Sequence, residues 1–475
     1  MITESDLTHA LEHQVAHGGR LGSCLVAIGA IDEQKLEAFL HRLPSEPKRL
    51  SDTGIDETEL MGMMMKLIYS GRLETGRQIS DAVKLPYQLV SDLIQMAIDR
   101  KLLMTLGARD TRSLTDLSYT FTEEGRRWTL EALSRVGYTG PAPVTLNDFT
   151  YQVSLHKLTN EVVTFDRIRQ ATAGLTFEDS LIEQCGPALN SGRAMLLYGP
   201  PGNGKTSVAR AMAGVFNDVI YVPYAIFVEG QIIRVYDPSI HVAIDPSGME
   251  DDNPLSILRR DAFDARYVPC KRPFVIVGGE LTLDMLDLLY DATGHFYEAP
   301  LHVKALCGTF VIDDFGRQLV SPSHLLNRWI VPLENRVDFL KLHTGKTFTV
   351  PFEELIIFST NLEPEDLMDT AFLRRLPYKI EVGPPTLESY RTIFETECAR
   401  LGFEIARGAF DAIVHKLTAE KGLELACYQP RFIVDQVVAS CRFMQMPFKF
   451  EPRFVSNALD NLRVNRQSKT AAQAV

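Results

Sequence analysis

The chain has 475 residues, of which 45% are hydrophobic and 23% are charged, a composition typical of a soluble globular protein with roughly three domains. Its formal net charge of −12 disfavours bulk attraction to nucleic acid or to an anionic membrane. Since there is neither a run of about 18 apolar residues nor a basic and apolar leader, we expect a cytoplasmic protein with no membrane span. The seven cysteines are scattered without a CxxC spacing, which indicates neither a disulfide scaffold nor a Cys-rich zinc site.

Residues 1–44 are predicted to form a small helical unit with a distinctive spacing of Leu and Gly. The positions concerned are Arg20, Leu21, Gly22, Leu25, Gly29, Leu36 and Leu40. This spacing resembles the N-terminal domain of type II secretion and type IV pilus assembly ATPases, although Leu43 stands where that pattern has Gln. The resemblance implies a docking domain and hints at bacterial pilus or secretion machinery. Cyclic di-GMP, which tandem units of this kind can bind, is the less favoured alternative.

After a polar stretch, which reads as a linker, residues 57–137 predict a winged-helix domain. Its signature is a helix-turn-helix whose second helix covers Tyr87–Lys101, then two strands and a returning helix. The strands are expected at Leu102–Leu106 and Leu117–Phe121, and the last helix at Glu123–Leu133.

The outward face of the second helix decides between DNA and protein as a partner. That face carries Gln88, Ser91, Asp92, Gln95 and Asp99. Two carboxylates would repel a duplex, which leaves Arg109 and Arg112 of the wing as phosphate contacts. A protein-binding role is therefore favoured, and DNA binding stays open as an alternative. Residues 138–175 form a linker and a lead-in that is expected to help enclose a nucleotide base.

The central motif follows an apolar strand at Ala194–Tyr198 and precedes a helix predicted from Thr206 to Val215. It reads Gly199, Pro200, Pro201, Gly202, Asn203, Gly204, Lys205, Thr206 and Ser207. Strand, GxxxxGK[ST] and helix in this order predict a P-loop, in which backbone N–H groups surround a triphosphate. Lys205 is then placed to reach the β- and γ-phosphates, and the Thr206 hydroxyl to reach Mg²⁺.

Two further apolar strands end in polar residues. The strand Thr309–Ile312 delivers Asp313 toward Mg²⁺ and Asp314 toward the attacking water. The strand Leu355–Phe358 precedes Asn361 by three residues.

Together with Arg374, Arg375 and Arg431, these motifs resemble AAA+ ATPases over residues 176–464. The resemblance implies an α/β fold, with a parallel-sheet core over residues 176–385 and a helical lid over residues 386–464, followed by a tail at 465–475. Asn361 would be sensor 1, Arg374 or Arg375 an arginine finger for the neighbouring subunit, and Arg431 sensor 2. ATP and Mg²⁺ are the implied cofactors, and a homo-oligomeric ring, with a hexamer as one form, is the implied assembly.

This sequence departs from that pattern in two places. Asp314 replaces the usual Glu, so a nucleotide switch with weak hydrolysis remains an alternative. Residues 225–306 form an insertion, for which we expect a strand at Phe274–Val277 and a helix from Leu281 to Tyr290. Aromatic residues at Phe227 and at Phe296-Tyr297 are two rival candidates for a pore loop. The favoured function is ATP-driven remodelling or assembly of a protein client, and an ATP-dependent DNA-binding regulator is the other alternative.

Overall fold

The computed structural model describes residues 4–17, 21–31, 42–108, 117–244, 263–367, 370–402, 405 and 407–462. Several sequence predictions therefore lie outside the described residues. These are Arg20, Leu36 and Leu40 of the N-terminal pattern, Arg109 and Arg112 of the wing, and the tail at 465–475.

The described residues alternate helices and short strands along the chain. Helices α1 to α18 span Glu4–His17, Leu21–Ala27, Glu57–Gly71, Gly76–Val83, Tyr87–Asp99, Glu123–Arg135, Leu146–Leu155, Phe165–Ala171, Asp179–Ser191, Lys205–Ala213, Leu301–Lys304, Pro322–Asn335, Pro364–Leu367, Thr370–Leu373, Leu387–Arg400, Arg407–His415, Gln429–Phe443 and Pro452–Asn461. Strands β1 to β16 span Leu103–Ala108, Leu117–Phe121, Val144–Thr145, Met195–Tyr198, Val219–Pro223, Ala225–Val228, Gln231–Arg234, Tyr267–Lys271, Phe274–Val277, Leu289–Asp291, Phe296–Glu298, Thr309–Ile312, Val337–Lys341, Thr347–Pro351, Leu355–Ser359 and Tyr378–Glu381.

A parallel sheet of five strands, ordered β16-β4-β15-β12-β9, forms the centre of the molecule. Strands β4, β15 and β12 are apolar at successive positions because both of their faces are covered. On β12, Val311 belongs to the core on one face, whereas Phe310 and Ile312 belong to the core on the other. Since all five strands run in the same direction, their carboxyl ends meet at one edge, where open α/β sheets bind ligands.

Strand β9 corrects the expected extent of the insertion. The sequence analysis places Phe274–Val277 inside an inserted segment, but this strand pairs in parallel with β12 and is part of the central sheet. The segment between helix α10 and β9 instead contributes β6 and β7 to a second, mixed sheet ordered β10-β11-β7-β6-β3. A buried apolar strand has the same sequence pattern in either sheet, so only its pairing partners show to which sheet it belongs.

The helix predicted from Leu281 to Tyr290 is wrong. Only Leu283–Leu286 is helical, as a 3₁₀ turn, and β10 begins at Leu289. The carboxylate of Asp291 accepts hydrogen bonds from the backbone N–H groups of Thr293 and Gly294, at 2.8 and 3.0 Å. This side-chain turn closes a hairpin between β10 and β11, and the strand pairing outcompetes the helical periodicity.

The two pore-loop candidates are packed rather than free. Phe227 is half-buried in β6, next to the tight turn at Glu229 and Gly230, and packs against the residues of the helix–strand unit described below. Tyr297 in β11 is 1% exposed. This packing favours a core role for both aromatic residues, and a pore-loop role stays a prediction.

Residues 50–108 and 117–142 pack around one apolar core, and we call them the helix–strand unit. Helices α5 and α6 and the antiparallel pair β1 and β2 lie within about two residues of their predicted positions. Leu50 and Ile55 are buried in this core, so the polar stretch that reads as a linker is packed. Whether this unit acts as a winged helix stays a prediction.

Residues 387–461 form a separate helical bundle with its own core, which includes Tyr390, Phe394 and Phe410. We call it the C-terminal bundle. Helix α17 supplies one wall of this core through Ile433, Val434 and Val437. Among the described residues, none of the helices combines the length and apolar character needed to cross a bilayer.

Candidate nucleotide-binding site

The loop between β4 and α10 has the backbone of an anion-binding turn. Gly199, Gly202 and Gly204 all have positive φ, at 130°, 84° and 86°. A Cβ on Gly199 would lie 2.7 Å from the carbonyl oxygen of Val382, so glycine is required there by packing as well as by conformation. Since α10 begins at Lys205, the free N–H groups of its first turn point toward this loop.

Lys205 is buried within the turn that precedes it. Its ammonium donates hydrogen bonds to the carbonyl oxygens of Gly199 and Pro200, both at 2.9 Å. Burial lowers the pKa of this ammonium, while the carboxylates of Asp313 and Asp314 act in the opposite direction. The Lys205 ammonium therefore lies close to the backbone N–H groups of the P-loop, and both kinds of donor suit a phosphate.

The Thr206 hydroxyl and the Asp313 carboxylate meet across the site. Thr206 Oγ1 donates to Asp313 Oδ2 at 2.8 Å, and Asp313 follows directly after β12. Mg²⁺ is typically held by one or two protein oxygens together with phosphates and water. Within the described residues, no group of three His, Cys, Asp or Glu side chains could hold a metal. A hydroxyl beside one carboxylate fits Mg²⁺ held jointly with a nucleotide.

Asp314 and Asn361 form the next layer of the site. Asn361 Nδ2 donates to Asp314 Oδ1 at 2.9 Å. Asp314 is in the left-handed region, with φ of 48°, which turns its side chain away from the strand that precedes it. A residue just beyond β15 is thus bonded to a residue just beyond β12, as the adjacency of these strands in the sheet requires. The pair is placed to orient a water molecule.

A cavity of about 720 Å³ joins these groups to the C-terminal bundle. It is lined by the P-loop from Pro201 to Ser207 and by Asp313, Asp314 and Asn361. Leu175, Thr176 and Phe177 close one side of the cavity, and the role of the lead-in segment in enclosing a base stays a prediction. Arg431 lines the cavity from the bundle, where its side chain is 67% exposed and lies 3.7 Å from Asp435. A smaller cavity of about 160 Å³ shares Phe177, Asn203 and Cys427 with it.

The C-terminal bundle touches the P-loop directly, which the sequence analysis did not anticipate. The backbone N–H of Tyr428 donates to the carbonyl of Gly202 at 3.0 Å, and that of Cys427 to Asn203 Oδ1 at 3.4 Å. The Tyr428 ring covers Gly202 so closely that a Cβ there would lie 2.3 Å from it. The sequence signal was an aromatic residue next to the Gln-Pro-Arg motif that contains Arg431.

The two arginine-finger candidates lie apart from this subunit's own cavity. Neither is among the described residues that line it. Arg375 Nε donates to Glu334 Oε1 at 2.6 Å, whereas Arg374 is exposed. An arginine that acts on a neighbouring subunit's site needs to be exposed. Arg374 meets this condition better than Arg375, which is bonded to Glu334.

Arg317 is a cationic residue of the cavity that the sequence analysis missed. It lies three positions beyond Asp314, exposed and lining the same cavity. The available signal was a basic residue directly after an acidic turn, which reads equally well as a solvated loop.

Residues 195–236 match the family model described as "ATPase family associated with various cellular activities (AAA)". Residues 386–461 match a second model, described as a domain of unknown function, DUF8689. The chain is 27% identical over 182 residues to 26S proteasome regulatory subunit 10B of Dictyostelium discoideum, covering 37% of this chain and 45% of that protein.

A second relative is the proteasome-activating nucleotidase of Pyrococcus abyssi, 28% identical over 172 residues, covering 35% of this chain and 41% of that protein. The chain thus spans less than half the length of the curated relatives it matches. Among solved structures, NtrX from Brucella abortus aligns with a TM-score of 0.36 at 15% identity, over 74% of this chain and 65% of that one.

The P-loop, the acidic pair after β12 and the AAA match over residues 195–236 define the class of the site, a nucleotide-binding site similar to that of AAA ATPases. The resemblance noted in the sequence is confirmed at that level. The C-terminal bundle, in turn, coincides with the domain of unknown function that its own match describes.

Proposed function

We propose that this chain is an Mg²⁺-dependent ATPase that couples ATP hydrolysis to the remodelling or assembly of a protein partner. The observation that carries the proposal is the meeting of two pairs, Thr206 with Asp313 and Asn361 with Asp314, at one cavity floored by the P-loop. ATP hydrolysis needs a phosphate cradle, a cation site and a carboxylate beside the attacking water, and the P-loop together with these pairs supplies all three.

Each residue has a distinct task in this mechanism. The P-loop amides and Lys205 bind the β- and γ-phosphates, and Thr206 with Asp313 would hold Mg²⁺, which supplies charge neutralisation when bound. Asp314 orients the water and accepts its proton, while Asn361 fixes the Asp314 carboxylate. The water oxygen bonds to the γ-phosphorus as the bond to the bridging oxygen breaks, which gives ADP and phosphate.

The site is completed by a second subunit in this proposal. Arg374 is the favoured finger because it is exposed, whereas Arg375 is held by Glu334. Arg431 acts as sensor 2 and the C-terminal bundle as the lid. A guanidinium from a neighbour would offset the charge that develops on the phosphoryl group.

Protein remodelling is proposed rather than nucleic-acid binding because of two features. The relatives named above are a proteasome regulatory subunit and a proteasome-activating nucleotidase. Helix α5 presents Gln88 bonded to Asp92 and Gln95 bonded to Asp99 on its exposed face. Those side chains are occupied with each other and carry negative charge. The secretion and cyclic di-GMP hypotheses rest on a pattern partly outside the described residues, so they are not part of this proposal.

A nucleotide switch with weak turnover is the second candidate, and Asp314 favours it. Its carboxylate is one methylene shorter than the usual Glu and is already bonded to Asn361. Steady-state phosphate release from the wild type and from Asp314→Glu separates the two candidates. If the protein is a motor, the wild type itself hydrolyses ATP. If it is a switch, appreciable turnover is seen only in the Asp314→Glu variant.

The central experiment is native mass measurement with Mg²⁺ and a slowly hydrolysed ATP analogue, which reports nucleotide occupancy and subunit number together. We expect occupancy in the wild type and none in Lys205→Ala. A wild type that stays empty would overturn the proposal. Arg193→Ala is the matched control, since Arg193 is exposed at the opposite end of β4 from the P-loop.

The finger is tested by phosphate release at saturating ATP. Arg374→Ala should lower turnover by about a thousandfold or more, with ADP affinity nearly unchanged. Arg375→Ala should retain most turnover, because Arg375 is held within its own subunit by the ion pair with Glu334. The reverse ranking would reassign the finger, and no loss in either variant would remove it.

A further inference from the structure

Arg317 projects from the turn that follows the acidic pair. It lines the 720 Å³ cavity together with Lys205, Asp314 and Asn361. The side chain is exposed, and within the described parts of the chain no carboxylate pairs with its guanidinium. This cation is therefore available to an anion that enters the cavity.

The turn that carries Arg317 is built rigidly onto the central sheet. Phe315 is 1% exposed, its N–H donates to the carbonyl of Ser359 at 2.7 Å, and its own carbonyl accepts from Thr360 Oγ1 at 2.8 Å. These contacts fasten the turn to the end of β15. The backbone position of Arg317 is thus set by the same strands that place Asn361.

A side-chain clamp fixes the rest of the turn. Gln318 Nε2 donates to the carbonyl oxygens of Asp313 and Asp314 at 2.9 and 3.3 Å, and Gln318 Oε1 accepts from the N–H of Gly316 at 2.8 Å. A Cβ on Gly316 would lie 2.6 Å from Leu367, and its φ of 102° also requires glycine. A turn held this firmly is suited to position a ligand-binding side chain.

The charges around the cavity indicate what Arg317 would bind. Asp313, Asp314 and Glu397 contribute three carboxylates to its wall. Lys205 supplies positive charge from the P-loop side and Arg431 from the C-terminal bundle. Arg317 lies three residues after Asp314, the carboxylate beside which the terminal phosphate would meet the attacking water. A planar guanidinium bonds two phosphate oxygens at once, which an ammonium does not.

We propose that Arg317 binds the terminal phosphate of ATP from within the same subunit, and that it makes this site prefer a nucleoside triphosphate over a diphosphate. The inference rests on the proposed function. It differs from the arginine-finger hypothesis because the guanidinium acts on its own subunit's nucleotide. Arg317 is then a phosphate-binding residue that precedes, and does not need, assembly.

The test is equilibrium binding of ADP and of a non-hydrolysed imido analogue of ATP, both with Mg²⁺, to full-length protein diluted until it is monomeric. In Arg317→Ala the Kd of the triphosphate analogue should rise about 10- to 100-fold, the loss expected for a hydrogen bond between charged groups. The Kd of ADP should change less than about twofold. Arg317→Lys should show an intermediate loss, and Arg193→Ala no loss.

Each outcome has a separate meaning. If ADP and the analogue both fail to bind the wild type, the proposed function itself is wrong. If both bind and the ratio of their Kd values is the same in Arg317→Ala, only the role of Arg317 is wrong. A loss that appears in the assembled protein and is absent in the monomer would show that Arg317 acts on a neighbouring subunit, which also overturns the inference.

Discussion

Gly202→Ala should destabilise the nucleotide-binding core through a contact with the C-terminal bundle. Gly202 has φ of 84°, and a Cβ there would lie 2.3 Å from Cδ1 and 2.9 Å from Cε1 of Tyr428. The backbone N–H of Tyr428 is also bonded to the Gly202 carbonyl at 3.0 Å. Alanine therefore meets two obstacles, an unfavourable backbone conformation and an aromatic ring.

The expected magnitude is the sum of these two effects. The left-handed conformation costs an alanine about 1–2 kcal/mol, of which about 0.5–1 kcal/mol is recovered because the unfolded chain is stiffer. Crowding against the ring adds about 1–3 kcal/mol. Because Tyr428 is 46% exposed, its ring can turn outward, which can reduce the crowding cost to the lower end of that range. We expect a net loss of about 2–4 kcal/mol.

The chain offers a matched control and a reporter for this measurement. Gly345 has φ of 89°, and no atom lies within 4 Å of the place that an alanine Cβ would take, so Gly345→Ala carries the backbone cost alone. That cost is about 1 kcal/mol. The sequence has two tryptophans, and Trp329 is fully buried in the core beside Phe310. In a Trp128→Phe background, urea unfolding followed by fluorescence therefore reports on the core.

A double-mutant cycle isolates the ring. In a Tyr428→Ala background, Gly202→Ala should cost only about 1 kcal/mol, as the Gly345 control does. The difference between the two backgrounds is the steric clash between the added methyl group and the Tyr428 ring. If Gly202→Ala costs no more than Gly345→Ala, or costs the same with and without the Tyr428 ring, the steric reasoning is refuted.

Two further predictions follow from the described contacts. Asp314→Asn should reduce steady-state phosphate release by about a hundredfold or more while ADP affinity stays the same, because a neutral amide cannot accept the proton of water; a variant that keeps its turnover would exclude Asp314 as the base. Lys66 is 4% exposed with its ammonium bonded to the Val136 carbonyl, and burial lowers its pKa to about 8 from 10.5. Between these values the unfolded chain holds a proton that the folded chain has lost, so stability should rise as pH increases from 8 to 10.5. Lys66→Met should abolish this rise and stabilise the protein at pH 7 by about 2–3 kcal/mol, checked by urea midpoints between about pH 7 and 10.

The parts of the site that could be predicted are those that neighbouring residues determine. The P-loop, the acidic pair and Asn361 each follow an apolar strand closely, so a short stretch of sequence carries both the motif and its structural context. The predicted helices over residues 386–464 and the elements of the helix–strand unit were recognisable for the same reason, since their apolar spacing is local. The sequence therefore predicts local structure best where a segment's conformation does not depend on contacts with residues distant in the chain.

The errors concern contacts between residues distant in sequence. Phe274–Val277 reads as a buried strand in any sheet, and only its pairing with β12 places it in the core. Leu281–Tyr290 has helical spacing, but the turn that Asp291 stabilises places Leu289 and Tyr290 in a β-hairpin. Arg317 looks like a solvated residue until the cavity is formed around it. No local sequence pattern encodes these outcomes, because each depends on contacts with residues that are distant in the chain.

The contact between Gly202 and Tyr428 also explains how the bundle can follow the state of the nucleotide site. Helix α17 begins one residue after Tyr428, so the bond to the P-loop carbonyl is made at the helix N-terminus, and Arg431 lies in its first turn. The same helix is buried along Ile433 and Val437, which makes it part of the bundle core rather than a loose arm. A shift of the P-loop when phosphates enter would therefore move a rigid helix, and with it the whole bundle, instead of one side chain. The Gly202 and Tyr428 cycle tests the premise of this coupling, which is that the Tyr428 ring lies directly on the P-loop.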